Sequence, residues 1–293
     1  MPRTPRTSSP TSLVRAPRPV ADTDLLSRLR EHLERLGLTE IEPRLEAHLD
    51  WAHREQAPPL VLLERVLGEA AGTKRERRVE RRIQTSGLPV RKTLEAFDFA
   101  FQPKLDRTAV ESLASLRFVA EHEDVLFTGQ SGTGKSHLLQ AIALRACQRE
   151  IQVRYARCVD LLDDLYAGLG DGTYPQRLAR WARTELLVID DIGLGQLKRT
   201  GEEPTAAHML FNLLDRRHLR HSTAITSNIK LSAWGNYLGD ATITASILDR
   251  LAMNSRRIDI DGPSYRQHLA HKRAASPEGL STPASHTTAQ AND

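Results

Sequence analysis

The sequence has little cysteine, few aromatic residues and no long apolar run. It holds two cysteines among 293 residues, which excludes a disulfide scaffold and suits a reducing compartment. No apolar run approaches the roughly 18 residues that a membrane span requires. The N-terminal stretch has no apolar segment typical of a signal peptide. We therefore expect a cytoplasmic protein with no membrane partner.

Positive charge is concentrated in two short segments. The net charge is +4, with +3 carried by residues 1–22, +6 by residues 74–92 and −5 by everything else. A local excess of this kind is typical of a surface that binds a polyanion. Residues 1–22 and 274–293 are also of low complexity, which predicts two disordered tails.

Residues 23–90 have the pattern of a small all-α N-terminal domain. Leucines recur there at helical spacing, and Gly37 and the pair Pro58-Pro59 interrupt the pattern. Such interruptions predict breaks between successive helices. Thr73 and Glu76 have the spacing of a capping box, which predicts that a new helix begins at Thr73.

Residues 91–273 alternate short apolar strands with helices. This alternation predicts an α/β domain in which a parallel sheet is flanked by helices. The predicted strands are Val125–Thr128, Val153–Ala156, Leu186–Ile189, Thr223–Thr226 and Ile258–Ile260.

A phosphate-binding loop follows the first of these strands. Residues 129–136 match the pattern G-x-x-x-x-G-K-S, and an apolar-periodic helix comes next. The glycines let backbone N–H groups face phosphates, and the helix N-terminus adds its positive dipole end. Lys135 is expected to reach the β- and γ-phosphates of ATP, and Ser136 to bind Mg²⁺. The predicted ATP-binding residues are Gly129, Gln130, Ser131, Gly132, Thr133, Gly134, Lys135 and Ser136.

Carboxylates and an amide follow two later strands. Asp190 and Asp191 end the strand at residues 186–189, and Asn228 follows the next strand. Asp190 is predicted to hold Mg²⁺ through water, together with Ser136, and Asp191 to polarise the attacking water. Asn228 would orient that water, and the alternative is a turn-forming asparagine at a strand end.

Together these motifs resemble the AAA+ ATPases of the initiator and helicase-loader clade. More narrowly, the chain is similar to the IstB-like ATPases that assist insertion-sequence transposition. The resemblance implies a P-loop AAA+ core with ATP and Mg²⁺ as cofactors. It also implies duplex DNA and the transposase of the same element as partners, and an ATP-dependent homo-oligomer. Besides the P-loop, the residues that carry the resemblance are Lys92–Phe99, Gln102-Pro103, Asp191–Gly193, Ser227-Asn228, Trp234-Gly235, Gly239-Asp240, Ala245–Leu251 and Ser264–Arg266.

The resemblance assigns a role to arginines that spacing alone does not. Arg250 matches the arginine finger, which would complete the ATP site of a neighbouring subunit and stabilise charge on the transferred phosphoryl group. Arg216 and Arg217 are secondary candidates for contact between subunits, and the alternative is a solvated helix end. The family usually has glutamate at the position of Asp191, so the shorter carboxylate predicts slow hydrolysis.

Several alternatives stay open. The alternative functions are a helicase loader related to DnaC, an ATP-binding assembly switch with little hydrolysis, and a small-molecule kinase with the same P-loop. Phe97, Phe99 and Phe101 precede the ATPase core, and they pack either beside the adenine or within the core.

The basic segment contains one predicted DNA-binding face. Its cations recur at positions i, i+3, i+4, i+7 and i+8, which places them on one side of a helix. Such a face neutralises backbone phosphates without reading sequence, and the alternative is a solvated charged helix. Aromatic residues make up only 5% of the chain, which favours duplex binding over base stacking on single strands. The predicted contacts are Lys74, Arg77, Arg78, Arg81 and Arg82.

Overall fold

A computed structural model of the chain describes residues 22–197 and 204–274. Residues 1–21 and 275–293, which form almost all of the two predicted tails, lie outside the described residues. The chain divides into two compact units, Met1–Arg77 and Arg78–Asp293. The division falls earlier in the chain than the predicted boundary at residue 90. The physical reason is packing, since Val79 and Ile83 already belong to the core of the second unit.

The first unit is helical, as predicted. It contains α1 (Asp22–Arg35), a single 3₁₀ turn (Glu42–Arg44), α2 (Leu45–Arg54) and the first part of α3 (Pro59–Ser86). Its core is small and is formed by Leu33, Ile41, Leu45 and Ala70.

Helix α3 is longer than the sequence predicts. It runs without interruption from Pro59 to Ser86, so Thr73 lies in its interior. The predicted helix start at Thr73 is therefore wrong. Lys, Arg and Glu follow Thr73, and because these residues favour helix interiors, the helix continues through Gly72 and Thr73.

The second unit is an α/β domain built on one parallel sheet. All five predicted strands are present. They are β1 (Asp124–Gly129), β2 (Val153–Arg157), β3 (Leu186–Ile192), β4 (Ser222–Ser227) and β5 (Ser255–Ile260). Their order in the sheet is β2-β3-β4-β1-β5, and every neighbouring pair is parallel. The helices are α4 (Arg107–Ala114), α5 (Arg117–Ala120), α6 (Lys135–Gln148), α7 (Cys158–Gly170), α8 (Tyr174–Ala182), α9 (Ala206–Arg217), α10 (Trp234–Leu238), α11 (Ala241–Asn254) and α12 (Tyr265–Ala274).

Each face of the sheet has its own hydrophobic core. Leu187 and Ile189 of β3 belong to one buried cluster, whereas Leu186 and Val188 belong to the other. Successive side chains of a strand point to opposite faces, so a continuous apolar strand is what a sheet covered on both sides requires.

The carboxyl end of β3 departs from regular pairing. From Ile189 to Ile192 the strand advances three residues, while its partner β4 advances two, from Ile225 to Ser227. An extra residue of this kind bends a strand and redirects its side chains. The irregularity places Asp190 and Asp191 at the carboxyl end of β3, beside the carboxyl ends of β1 and β4.

Within the described residues, no helix combines the length and the apolar character needed to cross a membrane.

Candidate nucleotide site

The phosphate-binding loop has the backbone shape that its glycines allow. Gly132 and Gly134 have φ angles of +84° and +103°, in the left-handed region. A Cβ atom on Gly134 would lie 2.5 Å from the Phe97 ring, and one on Gly132 would collide with the Ser264 hydroxyl. Glycine is thus required at both positions by conformation and by space. Gln130 and Ser131 form the exposed tip of the loop, whereas Thr133 is buried and donates a hydrogen bond to the Gln130 carbonyl (2.9 Å).

Lys135 is the first residue of α6, and its side chain folds back into the loop. The ammonium donates hydrogen bonds to the carbonyl oxygens of Gly129 (2.8 Å) and Gln130 (2.7 Å). Burial lowers the pKa of Lys135 to about 8, although the carboxylates of Asp191 and Asp190 act in the opposite direction. The ammonium group therefore lies among the predicted phosphate-binding residues in a poorly hydrated position.

Ser136 and Asp190 are brought together, as their predicted common role requires. The Ser136 hydroxyl donates a hydrogen bond to Asp190 Oδ1 (2.9 Å), and Asp190 is only 1% exposed. A hydroxyl beside a carboxylate supplies the oxygen ligands that Mg²⁺ prefers. The donor set present in this chain thus fits the ion.

Asp191 and Asn228 are also brought together. Asn228 Nδ2 donates a hydrogen bond to Asp191 Oδ1 (2.9 Å). The backbone of Asp191 is left-handed, with φ of +63°, a conformation that aspartate tolerates better than most residues. The Thr226 hydroxyl accepts a hydrogen bond from the Asp191 N–H (2.8 Å) and so fixes this conformation.

A cavity of about 430 Å³ adjoins the phosphate-binding loop. Phe97, Phe101, His137 and Tyr265 line it, and the rings meet edge-on in two pairs, Phe97 with His137 and Phe101 with Tyr265. Burial lowers the pKa of His137. The cavity is large enough for a base, and its aromatic walls suit a flat, apolar ligand. Phe97 and Phe101 line the cavity, and Phe97 and Phe99 also pack against the hydrophobic core.

Two walls of this cavity come from residues to which sequence reasoning assigned no role in the site. The Tyr265 N–H donates a hydrogen bond to the Gly132 carbonyl (2.9 Å), and Gln102 Nε2 donates to the Pro263 carbonyl (2.9 Å). The segment after β5 therefore crosses the phosphate-binding loop. Arg266, in the same segment, lies near enough for its charge to lower the pKa of Lys135. A Ser-Tyr-Arg run alone carries no local signal for this position.

Arg250 lies on α11, and its contacts are with α9. Its guanidinium pairs with Asp215 (2.7 Å) and lies over the Phe211 ring, 4.3 Å from the centroid. The side chain is 30% exposed. The structure does not place Arg250 among the predicted residues of its own ATP site, which is compatible with a role in a neighbouring subunit.

Arg217 is not available for contact between subunits, so that prediction is wrong. The residue is 1% exposed. Its guanidinium donates to the carbonyl oxygens of Trp181, Ala182, Thr184 and Ser222 and to the Thr223 hydroxyl. It is a buried structural residue, whereas Arg216 is exposed.

The predicted DNA-binding cations all lie on α3, which is helical throughout, as their spacing requires. Within the first unit, Arg77 pairs with Glu40 (2.7 Å). Within the second unit, Arg78 pairs with Glu150 (2.7 Å). Both arginines keep more than half of their side-chain surface exposed, at 64% and 57%. Lys74, Arg81 and Arg82 complete the set.

The fold and the site define an AAA+ P-loop protein. A parallel sheet carries a phosphate-binding loop after β1, paired aspartates near the carboxyl end of β3 and an asparagine after β4. Residues 31–275 match the family model described as IstB-like ATP binding protein, and the chain belongs to this family.

Relatives and solved structures agree with this assignment. The chain is 33% identical to a protein of insertion sequence IS21 from Pseudomonas aeruginosa, over 83% of this chain and 89% of the relative. It is 31% identical to one of insertion sequence IS5376 from Geobacillus stearothermophilus, over 84% of this chain and 95% of the relative. Both relatives are named as ATP-binding proteins. A solved DNA replication initiation factor matches 64% of this chain and 56% of its own, with a TM-score of 0.50 and 20% identity. That likeness shows the fold.

Proposed function

We propose that this chain hydrolyses ATP and assembles on duplex DNA as an AAA+ oligomer that assists the transposase of the same element. One observation carries the catalytic part of the proposal. The carboxyl ends of the inner strands bring together Lys135, the Ser136–Asp190 pair and the Asp191–Asn228 pair. Membership of a family whose relatives belong to insertion sequences supports the transposition context.

Each of these residues has a separate role in ATP hydrolysis. Backbone N–H groups of the loop and the Lys135 ammonium bind the phosphates. Ser136 and Asp190 would hold Mg²⁺, which supplies positive charge to the phosphate oxygens when bound. Asp191 takes a proton from the attacking water, and Asn228 orients that water. The water oxygen forms a bond to the γ-phosphorus. The bond between the γ-phosphorus and the β–γ bridging oxygen breaks, and ADP leaves.

Arg250 is proposed to act on ATP held by a neighbouring subunit. To do so it must exchange its ion pair with Asp215 for contact with the γ-phosphate, and its partial exposure makes this exchange accessible. Arg250→Ala is expected to lower ATP turnover by about 100-fold or more and to leave ATP affinity unchanged. Arg117→Ala is the matched control, because Arg117 forms only a surface ion pair with Glu121. Retained turnover in Arg250→Ala would remove the finger assignment.

The basic face of α3 supports the proposed DNA contact. Cations that neutralise phosphates release bound counter-ions, so the affinity for DNA should fall steeply as salt rises. The Arg78 side chain is 57% exposed, so its ion pair with Glu150 is weak and a phosphate can replace the carboxylate. The Arg77 pair is less easily exchanged, because the Glu40 side chain is only 9% exposed and loss of its partner would leave a buried charge.

The proposed function is tested by particle mass on a duplex of about 50 base pairs at fixed low salt, with ATP and then with ADP. We expect a large assembly with ATP and none with ADP or with the variant Lys135→Ala. A particle that stays monomeric on duplex with either nucleotide would contradict the assembly mechanism.

A second candidate function is an ATP-binding assembly switch with little hydrolysis. The short side chain of Asp191 favours it, because aspartate is one methylene shorter than glutamate and Asn228 holds its Oδ1 (2.9 Å), so the carboxylate reaches less far toward the attacking water. A single-turnover assay with pre-assembled protein separates the two functions, since a switch assembles with ATP and releases no phosphate on the timescale of assembly.

A further inference from the structure

The carboxylate of Asp190 is held unequally at its two oxygens. Oδ1 accepts hydrogen bonds from the Ser136 hydroxyl (2.9 Å), from the Asp191 N–H (3.0 Å) and from the Thr226 hydroxyl. Oδ2 accepts one from the Tyr155 hydroxyl (2.7 Å). Tyr155 thus holds the oxygen that the other three donors leave free.

Tyr155 reaches Asp190 from the neighbouring strand. It lies on β2 opposite Val188 of β3, and Arg157, two residues later, lies opposite Asp190. The Tyr155 side chain is partly buried and packs in the core beneath β1 and α6. Its ring is therefore fixed by packing, and its hydroxyl is presented to the carboxylate in one position.

A second polar side chain lies beside the Tyr155 hydroxyl. Gln140 is buried and close enough to this hydroxyl to influence it. Gln140 lies one turn after Ser136 on α6, on the same side of the helix. Asp190 thus accepts from Ser136 of α6 and from Tyr155 of β2, and these two hydrogen bonds tie the start of α6 to the end of β3.

The chemistry of the phenol suits this role. A tyrosine hydroxyl is protonated at neutral pH, so it donates to Asp190 Oδ2 (2.7 Å). A carboxylate held at both oxygens cannot rotate, so Oδ1 stays directed at Ser136.

We propose that Tyr155 is a positioning residue for the Mg²⁺ site, fixing the Asp190 carboxylate so that Ser136 and Asp190 present their oxygens to the ion together. The inference rests on the proposed function, in which these two residues hold Mg²⁺. Tyr155 itself contacts neither the ion nor the nucleotide in this role.

The test measures binding of a fluorescent ADP analogue to the full chain, with Mg²⁺ and with EDTA. Tyr155→Phe removes the hydroxyl and keeps the packed ring. We expect it to reduce the gain in affinity on adding Mg²⁺ by about tenfold, as loss of a residue that orients a metal ligand does. Affinity in EDTA should stay unchanged. The Mg²⁺ concentration that gives half of the effect should rise by a similar factor.

Matched variants separate positioning from general damage. Tyr166→Phe removes a hydroxyl that donates to the Pro204 carbonyl, and it should leave the Mg²⁺ response at the wild-type level. Gln140→Leu keeps the hydrogen bond from Tyr155 to Asp190 and replaces the polar neighbour of the Tyr155 hydroxyl with an apolar one, so we expect a smaller loss, of about twofold. This variant also tests the arrangement around Tyr155 if Tyr155→Phe does not fold.

Three outcomes would overturn the inference. An unchanged Mg²⁺ response in Tyr155→Phe would do so, and so would an equal loss of affinity with Mg²⁺ and with EDTA, which indicates general damage. In both cases a normal wild-type response leaves the proposed function standing. A wild-type affinity that ignores Mg²⁺ would instead overturn the inference together with the proposed Mg²⁺ site.

Discussion

A buried carboxylate at the start of β1 should make stability depend on pH. Asp124 is 7% exposed and accepts a hydrogen bond from the Thr223 N–H (2.6 Å). Burial raises the pKa of Asp124 from 3.8 to about 6, although the Thr223 N–H and the Arg217 charge act in the opposite direction. The folded chain therefore binds a proton at this residue more tightly than the unfolded chain does.

The sign of the effect follows from this difference in proton affinity. The protonated carboxyl stabilises the folded state below about pH 4, and this contribution is lost as the pH rises through about 6. Each tenfold difference in proton affinity is worth about 1.4 kcal/mol. Between about pH 4 and pH 7 the loss amounts to about 2 kcal/mol.

The substitution Asp124→Asn isolates this contribution. Asparagine keeps an oxygen that can accept from the Thr223 N–H, but it cannot ionise. The free energy of unfolding, measured with urea at a series of pH values, should decline from pH 4 to pH 7 by about 2 kcal/mol more in the wild type than in the variant. Parallel curves for the two proteins would refute the reasoning, because they would mean that Asp124 has the same pKa in the folded and unfolded chains.

Two further substitutions test the loop and the core. Gly134→Ala should weaken ATP binding by about tenfold or more, because its Cβ would lie 2.5 Å from the Phe97 ring; an affinity at the wild-type level in equilibrium titration would contradict this. Arg217→Leu leaves several buried carbonyl oxygens without their donor and should lower the free energy of unfolding by about 3 kcal/mol or more. The exposed neighbour Arg216→Leu should change it by less than about 0.5 kcal/mol, and equal effects of the two would mean that the buried hydrogen bonds of Arg217 contribute little.

The sheet and the phosphate-binding loop could be predicted because their signals are local. Each strand is a short apolar run, and β1 is followed directly by the glycines of the loop, so a few adjacent residues determine the structure. Asp190 could be predicted for the same reason, since it ends an apolar strand. The adjacency of Ser136 and Asp190 then follows from the parallel order of β1 and β3 in one sheet.

Other features depend on residues that are distant in the sequence. Tyr155 looks like an ordinary strand residue, and only the pairing of β2 with β3 brings its hydroxyl to Asp190. Arg217 looks like a helix-end cation, yet it is buried by the turn before β4. The error at Thr73 has the opposite origin, because the local pattern of Gly72 and Thr73 was outweighed by the strong helix formers Ala70 and Ala71 before it and Lys74–Glu76 after it.

The segment after β5, which crosses the phosphate-binding loop, limits how far the second unit can be shortened. The cavity beside the loop takes its walls from residues 90–102 and from Tyr265, which lie near opposite ends of this unit's sequence. A nucleotide whose base lies in this cavity would join the two ends much as a cross-link would, and it would stabilise only the state in which both are in place. The shortest fragment with full affinity would then have to begin before Val90 and extend beyond Tyr265, even though the phosphate-binding motif itself occupies only residues 129–136.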